Sequence, residues 1–312
     1  MDGTLAPAPD FLASVLAGLG RAQKRLEAKW FYDAAGSALF EEITQLPEYY
    51  PTRTEAKILR ESVGEIAARV PEGAALVELG SGASVKTRIL LDHLTQLSAY
   101  LPMDISEAFL AEVAAGLARD YPALDIVPVA GDFMGDIAPP EQLAGVPKVA
   151  FFPGSTIGNL SEADAVDLLA RVCGWDGIEG FILGMDRVKD AATLIAAYDD
   201  AAGVTARFNL NVLARINREL GGTFDLDAFR HEARWNGEAE RIEMHLVAMR
   251  PLTARVGPAE FIFAEGESIH TENSHKYTRT RMEELAARGG WRVETVLSDA
   301  DEMFSVVLLA PA

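Results

Sequence analysis

The chain has 312 residues, 49% hydrophobic and 24% charged, with one cysteine and a formal net charge of −19. That length holds one large α/β domain or two modest ones, each with its own core. The negative field argues against nucleic acid and an anionic membrane surface as partners, since polyanion binders lead with basic patches. The lone Cys173 excludes an internal disulfide and fits a reducing compartment.

At the N-terminus, Phe11–Gly20 is a short apolar stretch preceded by Asp2 and Asp10, where a secretion signal would carry positive charge. It reads as an amphipathic helix, no run approaches the roughly 18 apolar residues of a membrane span, and a cytoplasmic protein is expected. Further on, short apolar runs alternate with helical patterns. Ala75–Gly80 (ALVELG) reads as a buried strand with a helix after it near Ser84–Leu97. Tyr100–Asp104, Asp125–Ala130, Val149–Gly154 and Phe181–Asp186 read as four further strands. Strands parted by helices predict βαβ units and a mostly parallel sheet.

Beyond Asp186 the rhythm changes. A long helical region, Ala191–Leu220, precedes alternating segments at Glu232–Trp235, Arg241–Met249 and Glu260–Ala264 that read as antiparallel strands. A helix at Thr280–Arg288 and strands at Arg292–Leu297 and Phe304–Leu309 then resume the α/β pattern. A second unit is therefore expected inside the sheet domain, with residues 1–53 and 190–278 forming one domain and residues 54–189 and 279–312 the other.

The chemistry-bearing residues gather at strand ends. Val77-Glu78-Leu79-Gly80-Ser81-Gly82-Ala83-Ser84 closes the first strand, and its glycines allow either a plain strand-to-helix turn or a close backbone approach to a ligand. A dinucleotide fingerprint would place a third glycine at Val85, so an NAD-dependent oxidoreductase is disfavoured. An acid just before G-x-G is the pattern of class I methyltransferases. Asp104 ends the second strand and suits the ribose hydroxyls of an adenosine; Asp132 follows the third and suits the adenine amino group, with Phe133 beside the ring. Each acid alone would serve as a helix cap, but three in register favour the nucleotide. Lys86 is either a solvated lysine or a contact to the carboxylate of a methionine moiety.

Several unusual segments carry a more specific likeness. Lys29-Trp30-Phe31-Tyr32-Asp33, Leu46–Glu55 (LPEYYPTRTE), Gly154–Asn159 (GSTIGN), Tyr198–Thr205 (YDDAAGVT) and Arg241-Ile242-Glu243-Met244 resemble the histidine-specific Nα-methyltransferases of ergothioneine biosynthesis. The resemblance runs from about residue 25 to the C-terminus. It implies a class I methyltransferase domain of Rossmann-like α/β fold holding an inserted α+β substrate-binding domain. It implies S-adenosyl-L-methionine as cofactor, S-adenosyl-L-homocysteine as product, no metal, and action on L-histidine to give the trimethylated product, hercynine; a monomer is expected because nothing in the sequence suggests an interface. By motif, Gly80, Lys86, Asp104, Asp132 and Phe133 would bind S-adenosylmethionine. Tyr49, Asn159, Tyr198, Glu272 and Ser274 would bind histidine, Met244 would line the imidazole pocket, and Tyr32 would face the amine as the catalytic residue.

Plainer roles remain open for these residues: Asn159 as a helix cap before Ser161, Tyr49 as an aromatic beside an X-Pro turn, Tyr198 as part of a helix face. A carboxylate and a hydroxyl satisfy both imidazole nitrogens, which favours histidine at Glu272 and Ser274. The alternatives are an Nα-methyltransferase of another amino acid such as tryptophan, and a non-catalytic S-adenosylmethionine-binding module. His93, His231, His245, His270 and His275 show no metal-ligand spacing in the sequence, and Cys173 reads as a small core residue.

Overall fold

The computed structural model describes residues 9–82, 85–105, 107–135 and 138–312; Ala83 and Ser84 of the glycine motif lie outside them. The chain opens with α1 (Pro9–Leu19), the short strand β1 (Lys24–Arg25) and α2 (Ala34–Thr44). An alternating stretch follows: α3 (Tyr50–Ala67), β2 (Ala75–Leu79), α4 (Val85–Leu91), β3 (Ala99–Asp104), α5 (Glu107–Asp120), β4 (Asp125–Ile126), β5 (Val129–Ala130), β6 (Lys148–Phe152), α6 (Glu162–Cys173) and β7 (Ile178–Asp186). Then come α7 (Ala191–Tyr198), α8 (Val204–Leu220), β8 (Phe229–Asn236), β9 (Arg241–Ala248), β10 (Leu252–Val256), β11 (Ala259–Phe263) and β12 (Ser268–His275). α9 (Arg279–Arg288), β13 (Trp291–Ser298) and β14 (Phe304–Pro311) end the chain.

These elements form two compact units, residues 1–50 with 189–274, and residues 51–188 with 275–312. The divides fall at 50/51, 188/189 and 274/275, where the sequence suggested 53/54, 189/190 and 278/279. The last shift has a physical cause: Lys276, wholly buried, pairs with Asp186 of β7 at 2.7 Å, so the chain has already joined the second unit before α9 begins.

The second unit is an α/β sheet in the order β13-β14-β7-β6-β2-β3-β4, with β5 also on β3. β2, β3, β4, β6 and β7 run parallel to one another, and β14 is antiparallel to both β7 and β13. This is the Rossmann-like class I methyltransferase fold. Its central strands β2, β3 and β6 are nearly continuous apolar runs because helices cover both faces. Val77, Leu79, Leu101 and Phe152 pack with Leu168, Leu169 and Val172 of α6 and Leu285 of α9. On the other face Leu76, Tyr100 and Phe151 meet Ile58 and Leu59 of α3, Leu90 of α4 and Leu117 of α5. The single strand expected at Asp125–Ala130 is two short ones, both paired with β3, on either side of Val127 and Pro128.

The first unit holds a sheet in the order β1-β12-β9-β8 and the hairpin β10–β11. Two of its elements depart from the sequence reading. The expected helix over Ala191–Leu220 breaks into α7 and α8 at Asp199–Gly203, where Gly203 takes φ +68° and Asp200 caps the new helix through the amides of Val204 (2.9 Å) and Thr205 (2.7 Å). β12, whose sequence SIHTENSH reads as a polar loop, is an interior strand of that sheet. Among the described residues no helix is long and apolar enough to cross a membrane.

Candidate active site

In the second unit the expected cofactor residues lie at the C-terminal ends of parallel strands, where this type of sheet places its ligands. β2 runs into Gly80 and Gly82, both in the left-handed region at φ +65° and +49°. The turn is anchored to the next strand: Ser81 N donates to Met103 O at 3.0 Å and Gly82 N donates to Asp104 Oδ2 at 3.0 Å. A Cβ on Gly80 would stand 3.4 Å from the Phe133 ring, which packs edge-on against Phe152 at 5.2 Å. Asp132 Oδ1 accepts from Met134 N at 2.8 Å, which turns the chain just after β5. Ser81 Oγ is buried and has no hydrogen-bond partner among the described residues. A bare glycine turn beside an aromatic ring, with a buried hydroxyl still to be satisfied, fits a polar nucleoside ligand.

Two carboxylates organise this region: Glu78, the acid that the sequence marks before the glycine turn, and Glu55, which it does not single out. Glu78 is fully buried beneath the loop and accepts from the hydroxyls of Thr87 and Tyr100. Burial pushes its carboxyl up to about 7, against the opposing pull of those two hydrogen bonds. Glu55, from α3, is also fully buried; it accepts from Gly154 N at 2.8 Å and pairs with Lys86 Nζ at 2.5 Å. Lys86 is therefore an ion-paired, mostly buried group rather than a solvated one. A Cβ on Gly154 would come within 3.2 Å of its ammonium. Asn159 ends a 3-10 turn, Thr156–Asn159, after β6. Ser161, not Asn159, caps α6, accepting from Asp164 N at 3.2 Å.

In the first unit an aromatic chain links three of the expected substrate residues. Tyr32 meets Phe40 at 5.7 Å between centroids, Phe40 meets Tyr49 at 6.3 Å, and Tyr49 meets Tyr198 at 6.1 Å, all edge-on. Tyr198 Oη lies 2.7 Å from Ser274 Oγ of β12. Tyr32 is 36% exposed, whereas Tyr49, Tyr198, Met244, Glu272 and Ser274 are buried. Phe208 of α8 packs on both Tyr32 and Phe40, at 5.7 and 6.1 Å. Asp33 fixes the turn beside Tyr32 by accepting from Gly36 N (2.7 Å), Asn211 Nδ2 (2.8 Å) and Arg218. Burial alone would raise its carboxyl, but these hydrogen bonds outweigh it and hold the group below the usual range.

His231, which the sequence reading left as an ordinary histidine, positions Tyr198. Its Nε2 donates to the Tyr198 carbonyl at 2.7 Å and its Nδ1 accepts from Asn209 Nδ2 at 2.8 Å. Burial pushes its imidazole down, toward the neutral form this pattern requires. The β8–β9 register sets His231 opposite Leu246 and Ala233 opposite Met244, so Met244 shares a sheet face with His231. The histidines also show a grouping that their spacing hid: one ligand-capable atom each of Glu243, His245 and His270 lies within 4.8 Å of the others.

A family model described as "Histidine-specific methyltransferase, SAM-dependent" matches residues 11–311. A histidine N-alpha-methyltransferase of Mycolicibacterium smegmatis is 47% identical, over 89% of this chain and 88% of that protein. One of Mycobacterium tuberculosis is 44% identical, over 92% and 91%. Ergothioneine biosynthesis protein 1 of Neurospora crassa is 29% identical over 86% of this chain and 31% of its own length. With a glycine turn tied to Asp104 in one unit and a Tyr198–Ser274 pair in the other, the chain belongs to the S-adenosylmethionine-dependent, histidine-specific methyltransferase family.

Proposed function

We propose that this enzyme transfers methyl groups from S-adenosylmethionine to the α-amino group of L-histidine, three in succession, giving hercynine for ergothioneine biosynthesis. The observation that carries the reading is the match along residues 11–311 to the histidine-specific family, with Tyr198 and Ser274 in contact. Gly80, Asp104, Asp132 and Phe133 cradle the nucleoside, and Lys86 takes the carboxylate of the methionine moiety.

S-adenosylmethionine supplies a methyl group on a sulfonium, already a strong electrophile, so the protein's work is orientation and desolvation. Tyr198 holds the histidine carboxylate. Glu272 and Ser274 satisfy the two imidazole nitrogens, and Met244 and Tyr49 shape the walls. An indole or a phenyl ring offers Glu272 and Ser274 no such pair of ring nitrogens, which is the basis of selectivity. Burial in this aromatic site disfavours the ammonium form of the substrate, so before each transfer the amine gives up its proton to water and presents its lone pair. Tyr32 orients that nitrogen through its hydroxyl. As the N–C bond forms and the S–C bond breaks, positive charge grows on the amine, and the tyrosine faces tolerate it.

Incubation with S-adenosylmethionine and L-histidine, read by mass spectrometry, tests the proposal. Gains of one, two and three methyl groups on the α-nitrogen are expected. Folded protein that binds S-adenosylhomocysteine yet leaves histidine unmethylated would refute the substrate assignment.

A further inference from the structure

Glu243 and His245 are two residues apart on β9, so their side chains share a face, the one opposite Met244 and His231. On the neighbouring strand β12, the His270 imidazole stacks on that of His245, with centroids 4.8 Å apart and planes 17° from parallel. Both rings are buried, at 3% and 6% exposure, and Glu243 is half-buried beside them.

The outward atoms of all three groups are already held. Glu243 Oε1 accepts from Asn236 Nδ2 at 3.0 Å and from Arg241 Nε and Nη2 at 2.8 and 2.6 Å. That leaves Oε2 directed to His245 Nε2, at 3.3 Å. His245 Nδ1 meets Ser268 Oγ at 3.1 Å. His270 Nε2 lies 3.0 Å from the Glu272 carbonyl, which can only accept, so Nε2 carries the proton and Nδ1 the lone pair. Metal-binding histidines show this arrangement, one ring nitrogen fixed by a carbonyl or hydroxyl so that the other is presented to the ion. The opposing residues on β8, Glu232 and Arg234, pair with each other at 2.6 Å, and Arg241 balances the charge of Glu243 through Oε1, leaving Oε2 and the two imidazoles facing one another.

We propose that Glu243, His245 and His270 form a binding site for a zinc-class divalent cation, on the sheet face opposite Met244. Two imidazoles and one carboxylate suit such an ion, with water completing the shell. The ion would tie β9 to β12 and hold the strand segment that carries Glu272 and Ser274. It takes no part in the methyl transfer.

The untagged full chain, stripped by a chelator and dialysed, is titrated with Co(II) and then with Zn(II). One equivalent of Co(II) per chain is expected, with the visible absorption of a low-coordinate histidine-bound ion, displaced by Zn(II) and accompanied by a rise in Tm. Glu243→Gln, His245→Gln and His270→Gln should each abolish that spectrum, while His93→Gln, at an exposed position remote in sequence, should retain it. Failure of the folded wild-type chain to take up a stoichiometric ion overturns the site, whatever the variants do. So does a Co(II) spectrum that survives in the folded variants.

Discussion

Tyr198 Oη and Ser274 Oγ lie 2.7 Å apart, joining the end of α7 to β12 across 76 residues of sequence. Both groups are buried, and either can be the donor. With the substrate assignments above, this contact sets the distance between the carboxylate and imidazole ends of bound histidine. Tyr198→Phe and Ser274→Ala should each raise KM for histidine about fivefold, the equivalent of about 1 kcal/mol for one hydrogen bond. Affinity for S-adenosylhomocysteine should not change. A double-mutant cycle on histidine binding, measured by calorimetry, should show the two substitutions to be non-additive; strict additivity would mean that the pair does not act together.

The motif around Tyr32 depends on a backbone approach that only glycine allows. A Cβ on Gly36 would overlap the carbonyl oxygen of Phe31, and the Gly36 amide is the donor that Asp33 accepts as cap of α2. Gly36→Ala should therefore destabilise the protein by about 3 kcal/mol and displace Tyr32. Urea unfolding should show the lower midpoint, and histidine turnover at permissive temperature should also fall. Asp33→Ala should cost about 1–2 kcal/mol through loss of the cap.

The parallel sheet is legible in the sequence because its strands β2, β3, β6 and β7 are largely apolar runs that end in or just before a glycine or an acid. The first unit is less so, for reasons that lie in particular residues. The apolar period of α7 continues into α8, and only Asp200 and Gly203 mark the break. β12 is made of serine, histidine, threonine, glutamate and asparagine, the composition of a loop, because its buried positions carry polar groups with partners such as Tyr198 and the Met244 carbonyl. Phe40 and Phe208, which complete the aromatic chain, are ordinary apolar positions of amphipathic helices. His245 and His270 are 25 residues apart and meet only because β9 and β12 are neighbours. Glu78 was visible as the acid before the glycine turn, but not its full burial.

That burial has a pH signature. The Glu78 carboxyl is pushed up from 4.5 to about 7. The folded state thus binds this proton more tightly than the unfolded chain does, and folding takes up a proton between these values. Stability falls as pH rises through this window and is level above it. The loss amounts to about 3 kcal/mol from this group. In Glu78→Gln the amide oxygen still accepts from Thr87 and Tyr100, but nothing titrates. Chemical denaturation at pH 5, 6, 7 and 8 should show the wild type losing stability relative to the variant over the first two steps and little over the third. A constant difference across the series would show that the group does not titrate there.

Lys86 has two separable roles. It is the cation that neutralises Glu55, whose carboxylate is fully buried and also accepts the Gly154 amide. It is also the residue proposed to meet the carboxylate of S-adenosylmethionine. Lys86→Met should remove both: stability falls by about 3–5 kcal/mol because Glu55 is left buried without its cation, and affinity for S-adenosylhomocysteine falls at least tenfold. Glu55→Gln in the same chain removes the buried charge while an amide oxygen can still accept from Gly154. The double variant should therefore recover most of the stability but none of the affinity. Thermal melts with and without S-adenosylhomocysteine read both quantities from one experiment, since a ligand that binds only the folded state raises Tm in proportion to its affinity. Recovery of the ligand-induced shift along with the stability would show that Lys86 serves only to neutralise Glu55.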